Sequence, residues 1–195
     1  MDVLTQQIMQ QLSGKALSGI GKKIGVDDKT IGAALAIGMP LLVSALAKNA
    51  SKPAGAQALH QALAKDHDGS ILNDVAGYLK DPQAANGAGI LGHVLGAQQP
   101  AVAQGLTQST GLNADQVGQL LQIAAPLVMG ALGAQQQQQG LDQKGLTSFL
   151  ADQQQQVQQS QPDVMSTLNN LLDANHDGSA LDDVLGMAGK LFGNK

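Results

Sequence analysis

Two stretches of the chain are apolar on nearly every face. One runs TIGAALAIGMPLLVSALA from Thr30 to Ala47, and the other lies within Gln116–Ala134. In the first, Ile31, Leu35, Leu42 and Leu46 recur at helical intervals, while Ile37, Leu41 and Ala45 occupy other faces. A helix that is apolar all round belongs inside a protein. Each stretch is preceded by an amphipathic helical pattern and a glycine turn, Gly25 or Gly111. An N-terminal turn bearing Asp27-Asp28, or Asn113 and Asp115, comes next. Such side chains accept bonds from the orphan N–H groups of a helix start, and their charge suits the positive end of its dipole. Pro40 and Pro126 fall inside the pattern and predict a kink or an interruption, because each removes a donor and crowds the preceding turn. Gly38, Ala124 and Ala125 beside them leave room for another helix to come close.

The two stretches are copies. At an offset of 86 residues, 24–47 lies over 110–133 with identities at Gly25/Gly111, Gly32/Gly118, Leu35/Leu121, Ile37/Ile123, Pro40/Pro126, Leu41/Leu127, Ala45/Ala131 and Leu46/Leu132. A second pair, LAKDHDGSILNDVAG at 63–77 and LDANHDGSALDDVLG at 172–186, aligns at an offset of 109. The 23-residue difference is close to the length of a glutamine-rich segment within Ala134–Gln161. Internal repetition on this scale indicates a duplicated supersecondary unit. The chain therefore reads as two tandem helical-hairpin units, 1–97 and 98–195, packed into a bundle, the second carrying a Gln-rich insertion at 134–161.

Between these features, Lys48–Gly55 reads as a polar connection, 56–64 and 70–80 as short helices joined by a DHDGS turn, and 81–89 as a loop. ILGHVLG follows as one or two helical turns. The runs Gln135–Gln139 and Gln153–Gln156 are expected to be partly helical, since glutamine is a good helix former and GLTSFL between them supplies an apolar anchor. No segment shows sustained strand alternation, so the fold class is all-α.

Composition narrows the chemistry. The 195 residues include 27 glutamines, 24 glycines, no cysteine and no tryptophan, and all 11 basic residues are lysine. Without cysteine there is no disulfide framework, thiol nucleophile or cysteine zinc site. Aromatics are 2% and the net charge is −4, which argues against stacking on single strands and against a polyanion partner. The start, MDVLTQQIMQQLSGK, lacks a basic segment, apolar run and cleavage site, giving the expectation of a cytoplasmic protein. Thr30–Ala47 is near the minimum length for a membrane span, about 17 residues. Its glycines and Pro40, and Gln119 and Gln122 in the second copy, favour core helices over a span.

The sharpest local motif is Asp173-Ala-Asn175-His-Asp177-Gly178-Ser179, which matches the first positions of a calcium loop. Such loops converge oxygen ligands from positions one, three and five, a backbone carbonyl from position seven, here Ser179, and a bidentate carboxylate at twelve. Position twelve is Val184, and Asp183 falls one place early, next to Asp182. Asp173, Asn175, Asp177, Ser179 and Asp183 are thus the candidate calcium ligands. The alternative is a turn in which Asp177 or Ser179 caps a following helix. The earlier copy has Ala64 at position one, leaving Asp66, Asp68 and Asp74, and favours capping. GIGKKIGVDDKTIGAAL (19–35) has the outline of a helix-turn-helix, but its second helix would bring Asp27 and Asp28 to phosphate, and Lys22, Lys23 and Lys29 are its only cations. His60, His67, His93 and His176 lack the neighbours of a zinc site, and no phosphate loop, nucleophile elbow or H-E-x-x-H is present.

The ordered series GIGKKIGVDDKTIGAALAIGMPLLVSALAKNA, LAKDHDGSILNDV, GAGILGHVLG, GLNADQVGQLLQIAAPLVMGALG and DANHDGSALDDVLGMAGKLFG resembles the bacterial domain of unknown function 937, which is related to the YidB-like proteins. The resemblance implies a bacterial helical protein and carries no activity, so it transfers no catalytic residue. The functional expectation is a non-enzymatic structural or protein-interaction module, open to self-association, with no nucleic acid, membrane span or small-molecule substrate indicated. Calcium binding and helix-turn-helix DNA binding are the alternatives.

Overall fold

A computed structural model of the chain describes residues 2–12, 14–160 and 162. The described residues form nine α-helices and no strand: α1 (Val3–Gln11), α2 (Lys15–Ile24), α3 (Asp28–Ala50), α4 (Pro53–Asp66), α5 (Val75–Tyr78), α6 (Gly87–Val94), α7 (Gln99–Thr110), α8 (Ala114–Gln139) and α9 (Gln143–Ser160). Single 3-10 turns at Ser70–Leu72, Pro82–Ala85 and Gly96–Gln98 join the shorter elements.

The apolar helices α3 and α8 lie at the centre and pack against each other. α3 is sheathed by α9, α7, α4 and α2, while α8 is sheathed by α6, α1 and α7. Their buried side chains form one cluster that draws on both halves of the chain, with Ile31, Leu35, Met39 and Leu42 from α3 meeting Leu120, Leu121, Leu127 and Leu132 from α8. Both helices are long and apolar enough to cross a membrane. In each, however, most of the apolar window is buried inside the protein, 67% for α3 and 78% for α8.

Local sequence accounts for where these helices begin. Gly25 and Gly111 both adopt φ of 74°, a left-handed conformation that stops α2 and α7 and that a side chain resists. Asp27 then accepts the Thr30 N–H (3.0 Å) and the Thr30 hydroxyl (2.7 Å). At α8, Asn113 and Gln116 exchange side-chain and backbone bonds of 2.9 and 3.0 Å in a capping box.

Neither proline interrupts its helix. Pro126 has no N–H to give the Gln122 carbonyl, and other elements pack against α8 at this turn. Gly87 of α6 sits directly against the Gln122 carbonyl, and the Tyr78 hydroxyl donates to that of Ile123 at 2.9 Å. Elsewhere the boundaries differ from the sequence reading. α3 runs on to Ala50 and Pro53 opens α4 at its first turn, so the connection shrinks to Ser51-Lys52. The expected helix over 70–80 is split, because Asp74 turns back to accept the Gly77 N–H (2.7 Å) and starts a separate one-turn helix.

Both glutamine runs are helical. Gln135–Gln139 completes α8, and Gln153–Gln156 lies within α9. α9 is anchored by Leu146, Leu150, Gln153 and Val157, a stripe at helical spacing that faces α3. Buried Gln153 accepts the Val3 N–H at 2.9 Å and so satisfies an orphan donor at the start of α1. Nearby in α1, the hydroxyl of fully buried Thr5 has no partner. A buried hydroxyl without a hydrogen bond costs stability, whereas valine keeps the shape. Thr5→Val is therefore expected to raise stability by about 1 kcal/mol in urea titration; a loss of stability would show that the hydroxyl is satisfied.

Candidate functional site

The first DHDGS segment is held on α8 by small residues. Gly133 lies under the His67 carbonyl, Gly130 under the Ile71 side chain, and a methyl group on Gly69 would stand 2.7 Å from the Cβ of Ala134. Gly130, Gly133 and Ala134 thus form a shelf on which loop 67–71 rests. Asp68 accepts the Ser70 N–H at 2.9 Å and so holds the turn closed; its bonds to the backbone and side chain of Ser70 keep its carboxyl below the ordinary value.

Across from the loop stands α6, fixed at both ends by asparagines. Asn86 (φ 51°) is the one non-glycine residue with positive φ among the described residues, a conformation asparagine tolerates. It caps α6 by accepting the Gly89 N–H at 3.3 Å. At the other end, Asn49 of α3 donates to the carbonyls of Val94 (2.7 Å) and His93 (3.3 Å). The Nδ1 of His93 donates to the Gly89 carbonyl at 2.8 Å, which leaves its Nε2 as an acceptor in the neutral ring.

Between α4, the loop and α6 opens a cleft with two adjoining halves. The apolar half, about 460 Å³, is lined by Leu46, Leu59, Ala62, Ile90, Val94 and Met129, with Asn49, His67, Asn86 and His93 at its edges. The polar half, about 370 Å³, is lined by Asp66, Asp68, Ser70 and Ile71. His67, Asn86 and Ile90 belong to both. A separate cavity of about 420 Å³, also bordered by Asn86, carries Lys23 and Lys80.

His67 is half-buried at the junction. Burial holds its pKa below the usual 6.5, with Asp66 pulling weakly the other way. Because the folded pKa is the lower one, the unfolded chain takes up a proton first as pH falls, and stability declines below about pH 6.5. This decline is expected in thermal melts between pH 7.5 and 5 and should be removed by His67→Gln; an unchanged slope in the variant would assign it to another group. The stability contributed by the low-pKa carboxyls of Asp27 and Asp68 is present above their usual 3.8 and is lost only in more acid solution.

The sequence-derived residues distribute unevenly. Asp66 and Asp68 line the cleft, whereas Asp74 caps α5 and lies outside it. His67 and His93 face the same cavity; His60 lines neither half. The calcium candidates Asp173, Asn175, Asp177, Ser179, Asp182 and Asp183 lie outside the described residues. Among the described residues, no three His, Cys, Asp or Glu side chains gather as a metal site. In the first loop Asp68 and Asp74 each commit a carboxylate oxygen to an amide, that of Ser70 or Gly77, so millimolar calcium is expected to leave both amide resonances unmoved. Saturable shifts there would overturn the capping assignment. The helix-turn-helix outline resolves into α2 and α3; α3 buries Ile31, Leu35 and Leu42 in the core and exposes Asp28, Lys29 and Ala33 near its start.

Asn49 and Asn86 were not singled out by sequence reasoning. The Asn86-Gly87 pair is a recognisable turn signal, but the role of Asn49 depends on a helix more than forty residues away.

The family described as Bacterial protein of unknown function (DUF937) matches residues 6–135. Nothing among curated proteins or solved structures matches the chain. The matched span takes in α2 to α7, nearly all of α8 and every residue lining the cleft, and it ends where the first glutamine run begins. With more than half of its length inside that match, including both proline-bearing core helices, the chain belongs to the DUF937 family.

Proposed function

We propose that the chain is a non-enzymatic interaction module, a helical scaffold whose working surface is the cleft between α4, loop 67–71 and α6. The observation that carries this reading is that the cleft is built from fixed parts. Asn49 and Asn86 lock α6 at its two ends, and the glycine shelf of α8 seats the opposite wall. A largely pre-formed concavity with an apolar lining and a few convergent polar groups is the usual form of a binding site. The rest of the described surface offers little apolar area for self-association, since Val3 is the large hydrophobic side chain it exposes.

The scaffold is read as two copies of one hairpin sharing a single core. Its support is the matched series of Gly25 and Gly111 stops, Asp27 and Asn113 caps, and Pro40 and Pro126 within α3 and α8. The second DGS segment remains a calcium candidate on its sequence, through Asp173, Asn175, Asp177, Ser179 and Asp183.

Amide shift mapping of the full chain with short aliphatic probes tests the cleft. Perturbations concentrated at Leu59, Ala62, His67, Ile90 and Val94, and abolished by filling the mouth with Ala58→Trp, would support it. Shifts scattered over the surface, or unaffected by that substitution, would overturn it.

A further inference from the structure

We infer that the cleft takes a small organic cation, a protonated amine carried on an apolar body. This rests on the cleft being the working surface and adds the chemistry of its occupant. The apolar half has the volume of a small-molecule site and is walled by aliphatic side chains. The polar side chains at its edges are Asn49, His67, Asn86 and His93. His93 presents Nε2, because its Nδ1 is committed to the Gly89 carbonyl. Asn49 has turned its amide N–H group to the carbonyls of α6, so it offers the cavity's edge no free amide donor.

Charge points the same way. Asp66 and Asp68 stand on the polar half, next to the apolar one, and neither half is lined by a lysine. His67 between them is held toward its neutral form by burial, so it does not neutralise the two carboxylates at physiological pH. A ligand with its hydrocarbon against Leu59, Ala62 and Met129 and its ammonium near Asp66 would satisfy both halves at once. A carboxylate ligand would instead meet two like charges with no cation among the lining residues.

The test uses three probes of one length, hexylammonium, 1-hexanol and hexanoate, titrated at neutral pH into the full chain and followed by amide shifts. Hexylammonium is expected to bind several-fold more tightly than 1-hexanol, and hexanoate more weakly than either. Asp66 is exposed and makes no hydrogen bond that the fold requires, so Asp66→Asn should leave folding intact. That variant should lower hexylammonium affinity about fivefold, the effect of one carboxylate at close range near a surface, and leave 1-hexanol unchanged. Hexanoate binding as well as hexylammonium, or Asp66→Asn leaving hexylammonium unaffected, would overturn the cation assignment while the cleft stands. If none of the three shifts the cleft amides, the cleft reading itself fails along with it.

Discussion

Replacing Gly133 with alanine is expected to destabilise the protein by about 3 kcal/mol, while the same change at Gly118, fifteen residues earlier in the same helix, stabilises it. In a helix interior alanine is favoured over glycine by roughly 0.5–1 kcal/mol. At Gly118 nothing lies within 4 Å of the added methyl group, so that gain is realised. At Gly133 the methyl group would fall inside the carbonyl oxygen of His67. Both partners are backbone, one of them in the middle of α8, and neither can rotate away. The loop must lift from the helix, carrying His67, Asp68 and the polar half of the cleft with it. Calorimetric melting of the two variants side by side checks this, with opposite shifts of the melting temperature as the expected result. Two upward shifts would show that loop 67–71 is not seated on α8.

The second large effect is expected from Leu121→Ala. Leu121 is 1% exposed and reaches α3 at Gly38, where an added methyl group would meet Leu121 Cδ2 at 3.6 Å and Leu106 Cδ1 at 3.7 Å. Three helices, α3, α7 and α8, converge on this spot, and each is held by further contacts that limit collapse into the void. Truncation should cost about 2–5 kcal/mol, the range for a leucine cavity that closes only in part. In a chain of this size that is a fall of roughly 5–20 °C in melting temperature. Leu121→Met, which keeps most of the volume, should cost less than about 1.5 kcal/mol. Equal losses in urea titration for the two variants would mean that something other than packing volume holds this site.

The central helices could be read from sequence because their signals are local and repeated. Ile31, Leu35, Leu42 and Leu46 mark α3, and a glycine stop with an Asx cap marks its start and that of α8. The same reading failed over 70–80, where apolar residues at helical spacing outweighed a competing local bond from Asp74 to the Gly77 N–H. At the prolines, interruption was one of two expected outcomes, and both helices run through. Around Pro126 the Tyr78 hydroxyl donates to the Ile123 carbonyl and Gly87 packs against that of Gln122, both from parts of the chain distant in sequence. The cleft was half visible: Asp66, Asp68 and His67 stood out as a motif. Their partners Leu59, Asn49, Val94 and Met129 come from four helices, α4, α3, α6 and α8, whose approach depends on the small residues of α8, and no periodicity reports that distance.

The helical glutamine runs place a rule on how their length can vary. Each residue added within Gln153–Gln156 turns everything after it by about 100°. One extra glutamine would swing Val157 off the stripe begun by Leu146 and Leu150 and put a polar amide against α3 in its place. An insertion of seven would bring the stripe back to within about 20° of its bearing. Homopolymeric runs gain and lose units easily, so this segment should tolerate length changes in near-whole helical turns and reject single steps. A ladder of insertion variants would then show stability rising and falling with the period of the helix rather than declining steadily with length.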